Sequence, residues 1–127
     1  MKRVFISFKM EDKNQVDGIR LMSWNKNHPL EFYDESVRIA YKSERAPYIK
    51  AKIKDKIVRS SATVCFLGQN THQSEWVDWE LSTSISCNNK IVLMGLPRGP
   101  DRLVLPPSVL GRQWWLWDPL LLARELE

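Results

Sequence analysis

Ala62-Thr-Val-Cys-Phe-Leu-Gly68 is an uncharged, mostly apolar run, and three residues further on the chain changes rhythm. Within residues 71–87, Val77, Leu81 and Ile85 recur at four-residue steps, the spacing that puts side chains on one face of a helix. The run predicts a strand at the centre of a sheet, and the following segment predicts a helix packed on it. A strand leading into a helix is the unit from which parallel sheets are assembled, so this stretch sets the fold class as α/β.

The same alternation continues in both directions. Residues 3–8 form a first strand, apolar enough to be buried on both faces. Glu11 and Asp12 then open a helix to about residue 25, with Val16, Ile19 and Met22, and Leu21 as a further candidate, on its inner face; the acids sit at its positive end. His28-Pro29 ends it. Residues 30–34 predict a weaker second strand, and residues 35–47 a polar loop whose length suggests a functional or mobile segment. Residues 48–59 return to helix, with Ile49, Ile53 and Ile57 inward and lysines on the other faces. Towards the C-terminus, residues 90–96 predict a fourth strand, 97–107 a connection marked by Pro and Gly, 113–117 a short fifth strand and 119–127 a closing helix. There is no repeat and no linker, so residues 1–127 read as one domain. The expected architecture is a three-layer, flavodoxin-like fold with a mainly parallel five-stranded sheet in the order 2-1-3-4-5.

In that order strands 1 and 3 are neighbours whose crossovers leave in opposite directions, and ligands bind in the crevice beyond their carboxyl ends. Here the crevice is lined by Ser7, Phe8 and Lys9 after the first strand and by Gly68, Gln69, Asn70 and Thr71 after the third. The helix that follows adds Trp76 and Glu80, one turn apart on a shared face. A ring beside a carboxylate can hold a sugar. Glu80 has Trp76, Val77, Thr83 and Ser84 three and four residues away, so no local ion pair accounts for it. It lies about 100° round the helix from Leu81, at the edge of the buried face, where a carboxylate is partly desolvated. A solvated Glu beside a packing Trp is the bland alternative; the position at the crevice favours the site.

Composition sets the outer limits. The 127 residues suit one domain of the usual ~100–200 residues, and 43% apolar content supports a core and excludes general disorder. The net charge of +4 is mild, and the lysines between positions 42 and 56 form no dense block. Two cysteines, Cys65 and Cys87, offer neither a disulfide framework nor a metal-ligand spacing and suggest reduced thiols in the cytoplasm. No apolar signal core follows Met1-Lys-Arg3, and no run approaches the ~18 apolar residues of a membrane span.

Two motifs together carry a resemblance. Arg3-Val-Phe-Ile-Ser-Phe-Lys-Met-Glu-Asp12 resembles the opening strand of Toll/interleukin-1 receptor (TIR) domains, and Trp76-x-x-x-Glu80 matches the motif of their NAD-cleaving members. With Leu30-Glu-Phe-Tyr-Asp34 before a long loop, the order of elements is similar to the bacterial TIR-like family that includes the NAD-processing subunits of Thoeris anti-phage defence. The likeness covers residues 1–96. It departs after the first strand, where Lys9 is followed by Met10 in place of further basic residues.

What the resemblance implies is a cytoplasmic domain that cleaves the nicotinamide–ribose bond of NAD, often making a cyclic or modified ADP-ribose signal read by a downstream effector. Nicotinamide leaves as a neutral base, so a single carboxylate suffices where ordinary glycosides need two. Glu80 is the expected catalytic residue. Trp76 would wall the pocket, Ser7 line it, Phe8 pack on nicotinamide or ribose, Lys9 approach the pyrophosphate, and Gln69 and Asn70 supply hydrogen bonds. With no Gly-x-Gly-x-x-Gly or Walker loop, NAD is expected as substrate, with no resident cofactor and no metal.

Ser7 lacks the elbow of a nucleophilic serine, and His72 is expected as a solvated or capping residue. Trp114, Trp115 and Trp117 suggest core or an interface, without the basic groove of a nucleic-acid site. A homo-oligomer, or assembly through the 35–47 loop, is expected. A non-catalytic TIR-like adaptor and a nucleoside N-glycosidic transferase are the alternatives.

Overall fold

A computed structural model describes residues 2–23, 33–34 and 46–127. Its sheet has four strands among these residues, β1 (Arg3–Ser7), β2 (Tyr33–Asp34), β3 (Ala62–Leu67) and β4 (Lys90–Gly95), all parallel and in the order β2-β1-β3-β4. The helices are α1 (Lys13–Ser23), α2 (Ala46–Val58), α3 (Glu75–Ser86) and α4 (Pro119–Glu125). Every residue of β3 is buried, as its uninterrupted apolar run requires of a central strand.

Strand parity sorts the core into two sides. Val4, Ile6 and Phe8 share one face with Ala62, Val64 and Phe66, and pack with Val16 and Ile19 of α1 and Leu122 of α4. On the opposite face Cys65 and Leu67 meet Val77 and Leu81 of α3, while Phe5 meets Ile49, Ile53 and Ile57 of α2. Ile53 and Ile57 are fully buried, each contributing roughly 1.5–3 kcal/mol. The result is a helix–sheet–helix sandwich with α1 and α4 on one face and α2 and α3 on the other.

Several expectations are corrected. The fifth strand shrinks to one residue, Trp115, bridged to Met94. Asp118 follows almost at once as the N-cap of α4, accepting from the Leu120 and Leu121 N–H groups, and Pro119 can donate nothing to a ladder. The helix expected from residue 71 starts at Glu75, because Ser74 caps it by accepting from Val77 N at 3.2 Å. Thr71–Gln73 is a separate 3-10 turn, as is Met10–Asp12 ahead of α1. Leu21 is 62% exposed. Ala46 and Pro47 belong to the first turn of α2, where a missing N–H is tolerated. The expected helix end at His28-Pro29, the start of the second strand at residues 30–32 and the loop at 35–45 lie outside the described residues. No helix among the described residues is long and apolar enough to cross a membrane.

Candidate active site

Ser7 is the last residue of β1, and parity turns its side chain to the α3 side, the same side as Phe5. In α3 the stripe of Val77, Leu81 and Ser84 is buried and fixes the helix rotation. That rotation carries Glu80 to Ser7. The Ser7 hydroxyl donates to Glu80 Oε1 at 2.8 Å, and the two residues are 0% and 3% exposed. Glu80 is thus buried more deeply than its place at the helix edge predicts, with its carboxyl group held by Ser7 at the end of β1.

A chain of hydroxyls holds this part of α3 on the sheet. Ser84 donates to the Glu80 carbonyl at 2.8 Å, Thr63 donates to Ser84 Oγ at 2.8 Å, and all three groups are buried. Past the end of α3, Asn88 takes the left-handed conformation (φ 61°), and the Asn89 amide then donates to the Ile57 carbonyl at 3.1 Å. Cys65 stands opposite Ser7 in the β1–β3 register. Burial pushes its thiol up, the Glu80 charge adds to this, and the hydrogen bond with Ser7 opposes it. A neutral buried thiol of this kind is no nucleophile.

The other expected residues are dispersed over several places. Trp76, one turn before Glu80, is half-buried against the α2 isoleucines and meets Trp79 edge to face, with ring centroids 6.0 Å apart. Lys50 of α2 sets its ammonium 5.5 Å and 5.3 Å from those two rings. Lys9 and Asn70 both gather at Glu11, at 3.4 Å and 3.5 Å. Gln69 is exposed. Phe8 points to the α1 side, away from Ser7, with the Arg20 guanidinium 5.2 Å above its ring. His72 sits in the turn before α3 and joins none of these groups through a hydrogen bond among the described residues.

Sequence reasoning did not assign Asp12, Gly68 or Thr71 a joint role. Gly68 N–H donates to Thr71 Oγ1 at 2.8 Å, closing the turn after β3. The Asp12 carboxylate presses against the same glycine so closely that a Cβ there would lie 2.6 Å from Oδ1 and nearer still to Oδ2. Asp12 Oδ2 is buried and has no hydrogen-bond partner among the described residues. Burial raises the Asp12 carboxyl above the usual carboxylate value, Glu11 adds to the rise, and Lys9 opposes it. The one readable signal was a Gly ending a buried strand with a Thr three residues later. Among the described residues no group of three or more His, Cys, Asp or Glu side chains is placed to hold a metal ion.

The family model described as Thoeris protein ThsB, TIR-like domain, matches residues 5–101. The chain belongs to this family. The TIR-like assignment agrees in extent with the resemblance carried by residues 1–96. Among solved structures, the TIR domain of the Toll-related receptor TRR-2 of Hydra magnipapillata superposes with a TM-score of 0.62 at 16% identity, over 92% of this chain and 85% of that one. The 2-deoxyribosyltransferase of Bacillus psychrosaccharolyticus gives 0.67 at 13% identity, over 95% and 90%. The Clostridium botulinum CMP N-glycosidase BcmB gives 0.59 at 15% identity, over 98% of both chains. At such identities the likeness is one of fold. No curated protein matches the chain.

Proposed function

We propose that this TIR-like domain breaks the nicotinamide–ribose bond of NAD, with Glu80 as its catalytic carboxylate. The product is a cyclic or otherwise modified ADP-ribose that signals in anti-phage defence. The observation carrying this reading is the buried Ser7–Glu80 pair at the carboxyl end of β1, the crevice where open parallel sheets bind ligands.

The chemistry needs little machinery. Nicotinamide departs as a neutral base, so no acid has to protonate it, and the demand falls on stabilising the oxocarbenium ion. A fixed carboxylate in a dry site interacts more strongly with that developing charge than with the ground state. Ser7, by holding Oε1, sets the direction of the Glu80 carboxylate before substrate arrives. In this reading Trp76 borders the pocket, Lys9 meets the pyrophosphate, and Gln69 and Asn70 bond the sugar hydroxyls. Phe8 contributes from the α1 side as packing under Arg20. The unpaired thiols of Cys65 and Cys87 favour a reducing compartment, and we assign the reaction to the cytoplasm.

A second reading, cleavage of the N-glycosidic bond of a nucleoside or nucleotide, is favoured by the fold shared with a 2-deoxyribosyltransferase and a CMP N-glycosidase. Both readings ask the same of Glu80. The test is a mass-resolved time course of NAD and a nucleoside panel, run with the parent and a Glu80→Gln variant, with and without extract from phage-challenged cells. Nicotinamide release, lost at least ~1,000-fold in the variant, supports NAD cleavage. Free base from the panel without nicotinamide release supports the second reading. If every substrate survives even where the protein assembles, the domain acts as a non-catalytic adaptor.

A further inference from the structure

Trp115 lies on the β4 edge of the sheet, the edge farthest from β2, between bends at Arg112 and Trp117. Trp115 donates its N–H to the Leu93 carbonyl and accepts from Gly95 N–H, both at 2.9 Å, so its two backbone groups face inward. In an extended segment the groups of the adjacent residues then face outward. Neither Trp114 nor Leu116 makes a backbone hydrogen bond among the described residues. Their side chains are also turned away from the core: Trp114 is 42% and Leu116 72% exposed, whereas Trp115 and Trp117 pack on the α1–α4 cluster. Leu110 and Leu120, each 67% exposed, extend the apolar surface along the chain.

An open edge with outward apolar side chains and no lysine is a template for another strand. The residues around it indicate which strand. In Arg112-Gln-Trp-Trp-Leu-Trp-Asp118 the charges are opposite and equally spaced about Trp115, and both charged residues are exposed. We propose that this edge pairs antiparallel with the same segment of a second copy of the chain, about a two-fold axis at Trp115.

The register follows from the geometry. Centred on Trp115, Trp114 lies opposite Leu116 of the second copy, and beyond the bends at Arg112 and Trp117 the exposed Arg112 and Asp118 flank this short ladder with opposite charges, each contact occurring twice. Trp114 and Leu116 are the residues with outward backbone groups, so they form the hydrogen-bonded pairs that an antiparallel ladder requires, and the apolar side chains meet across it. A register shifted by two residues loses the charge match. Symmetry makes the contact isologous and self-closing, which yields a dimer and not a filament.

Sedimentation equilibrium over a concentration series tests this. The parent is expected at twice the chain mass and a Leu116→Pro variant, which removes an outward N–H, at the chain mass. Arg112→Asp sets like charges opposite each other and should weaken the dimer about tenfold. Cysteine pairing tests the register without relying on the Pro variant: in a Cys87→Ala background, Trp114→Cys chains mixed with Leu116→Cys chains should oxidise to a mixed dimer, since opposed residues of such a pair stand ~5.5 Å apart. A parent that stays monomeric overturns the proposal. So does a dimer that survives both Leu116→Pro and Arg112→Asp, or cross-linking no greater in the mixture than in either chain alone.

Discussion

Ser7 and Glu80 stand 73 positions apart in the chain, yet their side chains meet at 2.8 Å in a buried contact. One lies at the end of a strand and the other in the second turn of a helix, so the contact exists only when β1, β3 and α3 are assembled. Its geometry is a property of the whole fold, and variants that leave α3 in place while changing its partner will read out separately from variants that unseat the helix.

Ser7→Ala removes the donor and keeps the carboxylate. The expected outcome is a kcat for nicotinamide release lowered ~10–100-fold with KM little changed, since the orientation of Glu80 suffers more than binding does. Steady-state kinetics on NAD checks this, and equal losses in the Ser7→Ala and Glu80→Gln variants would show that Ser7 does more than position. Leaving a buried oxygen without its donor should also cost about 1–3 kcal/mol in urea unfolding.

Thr63→Val cuts the chain that ties Ser84 and Glu80 to β3. The shape is nearly kept but Ser84 loses a buried partner, so unfolding stability should fall by about 1–3 kcal/mol. An unchanged denaturation midpoint would mean that the apolar stripe of Val77 and Leu81 alone seats the helix.

Gly68→Ala should destabilise because the new methyl group collides with the Asp12 carboxylate; overpacking of this kind costs about 1–3 kcal/mol. Adding Asp12→Ala should return most of the loss. A double-mutant cycle with additive effects would mean that the two residues are not coupled.

Asp12 also gives a pH signature. Its folded-state carboxyl is raised above 3.8 by burial and by Glu11, so between the unfolded and the raised folded value the folded protein holds a proton that the unfolded chain has released. Asp12 therefore contributes stability in full below the unfolded value, and that contribution is lost as pH rises through the raised folded value. Over that acid window an Asp12→Asn variant should lose less stability with rising pH than the parent. Urea titrations at a series of acid pH values check it, and parallel profiles would refute it.

Much of the frame was legible because it follows from periodicity. The runs at Arg3–Ser7 and Ala62–Leu67, and the four-residue steps of Ile49, Ile53 and Ile57, are direct records of which faces need burial. Glu80 was legible because no basic residue stands three or four positions from it in the sequence. Its hydrogen bond to Ser7 was not, since nothing local links residues so far apart. Grouping Ser7 with Phe8 as neighbours in one pocket wall overlooked the period of two, which sends adjacent strand residues to opposite faces. The Asp12–Gly68 contact was hidden for another reason: it depends on backbone approach, which a side-chain pattern does not encode. The fifth strand expected over residues 113–117 was cut short by the cap of α4.

Cys65 faces Ser7 across the β1–β3 register and keeps its proton, because burial and the nearby Glu80 both disfavour the thiolate. The protein therefore carries a native S–H oscillator within the field of the carboxylate. Its infrared stretching band lies in a region free of amide and water absorption and responds to local field. A shift of that band on adding ligand would report a change in the charge seen from inside the core, with no label introduced.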